Sequence, residues 1–287
     1  MITSKKSVYT IGETFVYGNV LVALCGLALS LSTYIILNLE YSEISIPALA
    51  LIFFSCLFIY NLNVFFLGEF DLNVERERWK SENIKLVKIL CLFCLLPISF
   101  YGSLLSRESV FLLAHLFLLA LLYIIPIKIK SKYYSFRKIP LLKIFILTYV
   151  WSCATVLLPV FECGFYEWNK ISFLFMERFI FILAVSMPFD IRDYERDKEQ
   201  AVLTIPGLVG KKNAVIISIF ILSAFIFSSL IYNGWSYIFL SRTLIGLLAG
   251  YFIVNASNTR KEFYFLLYMD GILLLYFLIL LASRAVF

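Results

Sequence analysis

The sequence predicts an all-α membrane protein: a polytopic bundle of about nine transmembrane helices, built as one domain over residues 1–287. Three observations predict it. Hydrophobic residues make up 62% of the chain and charged residues only 15%, with a mean hydropathy of +0.91, whereas soluble domains are about half apolar and a quarter charged. The apolar residues fall into runs of about 20, the length that crosses a hydrocarbon core of roughly 30 Å. The basic residues gather in alternate connections between those runs.

The nine runs are 15–38, 45–67, 86–105, 109–127, 141–161, 171–189, 214–232, 236–254 and 263–283. The short gaps at 106–108 and 233–235 leave eight or ten spans as alternatives to nine. The polar start MITSKKSVYTIGETF has no cleavable-leader pattern, so the first run is expected to be a retained anchor. With nine spans, one side of the membrane carries 20 Lys and Arg, among them Arg76, Arg78, Lys128, Lys130, Lys143, Arg192 and Arg196. The other side carries 3, Arg107, Lys170 and Arg284. That bias makes the basic side, and with it the amino terminus, cytoplasmic. The net charge of +6 is thus read as topology and not as a nucleic-acid signal.

Six cysteines include a C-x-x-C at Cys91 and Cys94, but it lies inside the apolar run KILCLFCLLPI. Metal or redox use would need polar partners and a second ligand pair, so these thiols are read as small buried hydrophobes. His115, within FLLAHLFLL, is expected to make a hydrogen bond between helices. Glu177 and Arg178 are expected to point apart, with Arg178 snorkelling. Asp270, two turns inside the last run, either borders a cavity or pairs with Arg242; the pair is preferred.

The inner side has three long charged loops, 68–85, 128–143 and 190–213, and their convergence suggests a site. In DIRDYERDKEQ, Asp190, Asp193 and Asp197 would share one helix face about 10 Å long. Three like charges on one stripe call for a cation, and carboxylates with substrate phosphates are the usual ligands of Mg²⁺. A solvated face pairing with the inner lysines accounts for the same spacing. Lys128, Lys130 and Lys143 add a basic cluster suited to a diphosphate; positive-inside charge alone would also supply it.

Taken together, residues 190–214, DIRDYERDKEQAVLTIPGLVGKKNA, resemble the second aspartate motif of the UbiA superfamily of intramembrane prenyltransferases, D-x-x-D-x-x-x-D. Thr204, Pro206 and Gly210 fit the T-(I/L)-P and the Gly–basic–Ala helix start that the family carries after that motif. Tyr123, Pro126, Lys128 and Lys130 are similar to the family's Tyr-x-x-Pro-x-basic-x-basic. The resemblance covers most of the chain. Its first motif, N-D-x-x-D-x-x-x-D, is degenerate here. Begun at Asn63 it keeps Asp71 and an arginine at Arg78; begun at Asn61 it keeps Glu69 and Arg76, and the Asn63 register is preferred because it retains a true Asp.

The resemblance implies a UbiA-like fold in a bacterial inner membrane, with the Asp-rich loops cytoplasmic. It implies Mg²⁺ on Asp190, Asp193 and Asp197, and on Asn63 with Asp71. Lys128, Lys130, Arg78, Tyr123 and Lys143 would bind the diphosphate of a polyprenyl diphosphate. The prenyl group would pass to a hydrophobic, aromatic, quinone-precursor-like acceptor within the lipid bilayer. The alternative is a chain of the same fold that has lost transfer chemistry and keeps a lipid-binding or partner role, a reading the thin first motif motivates. A transporter is disfavoured, because the sequence shows no inverted repeat or broken-helix pair.

Overall fold

The computed structural model describes residues 10–65, 74–124, 127–129, 132–134, 139, 141–200, 202–257 and 259–286; for Tyr123, Ile124 and residues 127–129 and 132–134 it describes backbone only. It is an all-helical bundle. Seven helices among the described residues are long and apolar enough to cross a bilayer, or eight when the first bent pair counts as one span. The remaining apolar run, 109–127, is the helix Arg107–Ile124.

The chain enters through α1 (Ile11–Tyr17), whose start is closed by a capping box: Glu13 N donates to Thr10 Oγ1 at 3.2 Å and Thr10 N to Glu13 Oε2 at 2.8 Å. It then bends by 65° into α2 (Val20–Ile36). The bend sits at Gly18 and at Asn19, whose φ of 63° is left-handed. A Cβ on Gly18 would meet Thr14 O at 2.8 Å. The corner is pinned to α3 (Ile46–Asn61) by two amides: Asn19 Nδ2 donates to Asn61 Oδ1 at 2.8 Å, and Asn61 Nδ2 to Gly18 O at 2.9 Å. Asn61 is therefore a helix-to-helix bond.

After a short 3₁₀ turn, Leu62–Phe65, the chain resumes at the polar helix α4 (Glu75–Glu82) and continues through α5 (Ile84–Gly102) and α6 (Arg107–Ile124). Glu162 closes the start of α6, accepting from Ser106 N at 2.9 Å and Ser106 Oγ at 2.8 Å. Ile127–Ile129 (β1) and Lys132–Tyr134 (β2) form a three-residue antiparallel ribbon, too short to alter the class. The next span is α7 (Leu142–Ser152), a π-helical stretch Cys153–Leu157, and α8 (Leu158–Cys163). The longest helix, α9 (Trp168–Arg192), leads into α10 (Tyr194–Glu199) and α11 (Ile205–Val209). The helices α12 (Lys211–Asn233) and α13 (Tyr237–Val254) follow. The last span joins α14 (Glu262–Tyr264), a second π stretch Phe265–Met269, and α15 (Asp270–Val286).

Two prolines inside spans show how the bundle is tied. Proline has no N–H, so the carbonyl four residues earlier loses its helical donor. In a bilayer no water replaces that donor, at a cost of several kcal/mol. Pro188 frees Ala184 O, and Ser218 Oγ on α12 donates to it at 2.7 Å. Pro159 frees Thr155 O, and Thr33 Oγ1 on α2 donates to it at 2.7 Å. Each break becomes a link to a neighbouring helix.

The charges within the spans differ from expectation. Arg242 binds Glu177, not Asp270: its Nη2 lies 2.6 Å from Oε2 and its Nη1 donates to Oε1 at 2.8 Å. Tyr276 and Ser229 accept further bonds from it at 3.1 and 3.0 Å. Glu177 and Arg242 are both buried, so each supplies the other with the counter-charge that water would otherwise provide. Arg178 does not snorkel either; it is buried and donates to Leu29 O and Ser32 Oγ, both at 2.8 Å. His115 is exposed, yet it does bridge helices, 3.3 Å from Tyr149 Oη on α7. All six cysteines are free.

Replacing Arg242 by Met strands the Glu177 carboxylate and is expected to cost about 3–5 kcal/mol. Adding Glu177→Gln to that variant is expected to recover most of the loss in detergent thermal melts. A single Arg242→Met protein that melts like the parent would contradict the pairing.

Candidate active site

Asp190 lies in the last turn of α9, Asp193 caps that helix, and Asp197 lies in α10, so the stripe is split by a helix junction. The junction is held by Asp197 N donating to Asp193 O at 2.8 Å. The three carboxylates nevertheless converge, and they converge on Lys143 at the start of α7. Its Nζ is 2.8 Å from Asp190 Oδ1, 3.1 Å from Asp197 Oδ2 and 4.0 Å from Asp193 Oδ2. Asp190 and Asp197 are buried, at 3% and 1% exposure, which carboxylates tolerate only when paired.

Arg192 and Arg196 turn back to Asp193 instead of away from it. Arg192 grips it with two bonds, of 2.9 and 3.1 Å, and Arg196 Nη2 lies 3.2 Å from Oδ1. Burial alone would raise the Asp193 value; Arg192 above all, then Arg196 and Lys143, hold the carboxyl well below the usual range. Outside this pair lie Glu77, 3.6 Å from Arg196, and Glu262, 3.5 Å from Arg76 and 4.0 Å from Arg192. Arg192 Nη1 is buried without a hydrogen-bond partner among the described residues.

Beneath this cluster is a cavity of about 170 Å³. Arg76, Lys143, Asp190, Arg192 and Asp193 form its polar roof; Ile182, Val185 and Leu273 are among its apolar walls. Asp270 lines it too, so the aspartate excluded from the Arg242 pair faces the cavity. The π stretch Phe265–Met269 immediately precedes Asp270, an irregularity common where a helix side chain is re-aimed at a site. A second, larger cavity of about 510 Å³ lies among α3, α5, α6 and α7, and it is almost wholly apolar.

The first motif is placed differently. Asn63 Oδ1 accepts from Lys80 Nζ at 3.2 Å, and that ammonium also donates to Tyr60 O at 2.8 Å. Lys80 is 1% exposed, and burial, reinforced by Arg76, pushes its value down to about 7. Asp71 and Lys130 fall outside the described residues, as do the side chains of Lys128 and Tyr123. Arg78 is an exposed residue of α4, and Arg76 is the α4 arginine that lines the cavity. Arg76 belongs to the Asn61 register, and Asn63, held by Lys80, is not among the residues that line the cavity. Sequence reasoning missed Lys80, Glu262, Tyr60 and Trp151, whose roles rest on contacts between distant segments.

No group of three His, Cys, Asp or Glu among the described residues is arranged to hold a metal ion, because the Lys143 ammonium stands between the carboxylates. The donor set itself, three hard oxygen ligands, suits Mg²⁺. Asp197 Oδ1 is buried with no hydrogen-bond partner among the described residues, so one ligand atom is already free. The residues would fit the ion only with Lys143 swung aside and with Asp193 released from Arg192 and Arg196.

No protein-family model and no curated protein matches the sequence. Solved structures do. The apo structure of a UbiA homologue from Aeropyrum pernix K1 is similar at a TM-score of 0.61 and 14% identity, over 97% of this chain and 99% of that one. A UbiA homologue from Archaeoglobus fulgidus bound to DMAPP and Mg²⁺ gives 0.59 and 11%, over 96% and 100%. A digeranylgeranylglyceryl phosphate synthase gives 0.56 and 14%, over 96% and 100%. The chain has the UbiA fold and is a multi-pass integral membrane protein.

The two lysines give distinct expected outcomes. Lys143→Gln is expected to tighten Mn²⁺ binding about tenfold or more, some 1.4 kcal/mol, in an EPR titration of free Mn²⁺, and Asp197→Asn to weaken it. For Lys80, the unfolded chain keeps a proton that the folded chain has lost between about pH 7 and the ordinary 10.5. Stability should therefore climb with pH across that window, by at most about 1.4 kcal/mol per unit. Lys80→Met should flatten the rise in melting temperature.

Proposed function

We propose that the protein is an Mg²⁺-dependent prenyltransferase, moving a prenyl group from a polyprenyl diphosphate to a small aromatic acceptor of the quinone-precursor type. The observation that carries the reading is the cavity's polarity. A roof of carboxylates and cations covers an apolar chamber within the spans. That matches a ligand with a charged head and a hydrocarbon tail. The fold, shared with homologues solved with DMAPP or GPP and Mg²⁺, supports it.

Asp190, Asp193 and Asp197 would hold Mg²⁺, which when bound supplies Lewis-acid polarisation of the diphosphate oxygen. The chain's own residues account for the rest. Lys143 leaves the carboxylates for the diphosphate, and Arg76 and the unbonded Nη1 of Arg192 neutralise its remaining oxygens. Heterolysis of the allylic C–O bond releases diphosphate. The acceptor attacks the allylic carbon, and Asp270 in the cavity wall takes the proton it loses. Lys128, Lys130 and Tyr123 extend the diphosphate site from the 123–130 segment, and Asp71 with Asn63 completes a second, weaker cation site. We place the Asp-bearing end on the cytoplasmic side of a bacterial inner membrane, in line with the basic-residue bias.

The second reading, a UbiA fold without transfer chemistry, is favoured by one observation: Asn63 is engaged by Lys80. Diphosphate release from purified protein, with and without Mg²⁺ and a panel of aromatic acceptors, separates the two. Transfer predicts Mg²⁺- and acceptor-dependent release that drops at least about a hundredfold in Asp190→Asn, the lower range for a lost catalytic contact. Asp270→Asn should instead slow transfer and abolish the acid limb of the pH profile while Mg²⁺-dependent binding persists. Binding without release from the parent under every acceptor would favour the second reading.

A further inference from the structure

Resting on the prenyl-transfer reading, we propose that Tyr60 and Trp151 form a gate between the two cavities and thereby set the length of isoprenoid tail the protein accepts. These are the two residues that line both chambers. Tyr60 closes the last turn of α3, and Trp151 lies near the end of α7, just before the π stretch. Trp151 Nε1 donates to Tyr60 Oη at 3.0 Å, and their rings stand edge-on with centroids 6.4 Å apart.

The chambers differ in the way a head and a tail differ. The upper one, about 170 Å³, carries the charged roof and has room for a diphosphate with a short prenyl group. Its volume lies below the roughly 300–1,000 Å³ of pockets that enclose a drug-sized ligand. The lower one, about 510 Å³, lies within that range and is walled by side chains such as Leu51, Ile59, Leu113 and Phe117. A tail longer than the upper chamber can continue into the lower one by parting the aromatic pair. The occupant of the lower chamber is thus the distal part of the donor's own isoprenoid chain.

The pair is built to swing without disturbing the helices. The Tyr60 backbone is anchored apart from its ring, because its carbonyl accepts from Lys80 Nζ at 2.8 Å and from Asn19 Nδ2 at 3.3 Å. Beside Trp151 the α2 wall is Gly26, where a Cβ would come within 3.9 Å of the indole and 3.2 Å of Ile52. The missing side chain removes one contact from that side of the indole. One hydrogen bond holds the gate closed, so its removal should favour long tails over short ones.

The test is Mg²⁺-dependent equilibrium binding of C5, C10 and C20 isoprenoid diphosphates to the full chain in nanodiscs, read as the C20:C5 affinity ratio. Tyr60→Phe, which deletes only the hydroxyl, is expected to raise that ratio at least threefold, and Trp151→Phe to raise it similarly. Ser55→Phe, which fills the lower chamber from α3, is expected to lower it at least tenfold. A ratio unmoved by all three variants, in proteins that still bind C5 diphosphate, overturns the gate and leaves the transferase reading standing. Failure of the parent to bind a diphosphate of any length overturns both.

Discussion

Lys143 allows two carboxylates, Asp190 and Asp197, to be buried at the end of a membrane helix with Asp193 half-buried beside them. Without it, Asp190 and Asp197 would face each other in a poorly solvated corner, and like charges there cannot all stay ionised. With Nζ within 3.1 Å of both, the chain can turn from α9 into α10 and fold the acids inward. The guanidinium shell arises from the same demand. Asp193 takes Arg192 and Arg196, and those arginines reach Glu262 and Glu77. Segments far apart in sequence, α4, α7, α9, α10 and α14, are thereby fastened to one point. The polar roof exists because of this fastening, and the cavity exists because the roof spans the helix ends.

The same constraint operates deeper, where no water can help. The Glu177–Arg242 pair and Arg178, bonded through both Nη atoms, sit among α2, α9, α13 and α15. The carbonyls released by Pro159 and Pro188 are each taken by a hydroxyl on another helix. In lipid, helix association rests on van der Waals packing together with interhelical polar bonds, and these bonds add to the choice of which helices are neighbours. Asn19 and Asn61 do this at the first corner, and their bond also places Tyr60 against Lys80.

Much of this was legible in the sequence. Apolar run length announced a helical membrane bundle, since lipid leaves few alternatives. The spacing of Asp190, Asp193 and Asp197 announced a convergent cluster. What could not be read was the partner of each charge. Asp270 and Arg242 lie in consecutive spans and look like a pair, but helix rotation turns Asp270 to the cavity and gives Arg242 to Glu177, a residue 65 positions away. Lys143 was legible as a member of an inner basic cluster, yet nothing in its neighbourhood marked it as the hub of the acids. Arg76 and Arg78 are two residues apart, and only the orientation of α4 decides which one reaches the cavity. Tyr60 and Trp151 looked like two more aromatics in a chain that has many.

The degenerate first motif takes on a physical meaning beside the two lysines. Where the resemblance places a first cation site, Asn63 faces the ammonium of Lys80; where it places a second, the carboxylates face the ammonium of Lys143. The two lysines differ in one respect. Lys80 is buried and bonded to a backbone carbonyl and an amide, both neutral, and its charge is easily given up. Lys143 is bonded to carboxylates that would draw in a divalent cation as readily as an ammonium. On the prenyl-transfer reading proposed above, the second position is where an incoming ion and a diphosphate would exchange partners with the resident lysine, whereas at the first Asn63 is shared with a lysine whose hydrogen-bond partners are neutral.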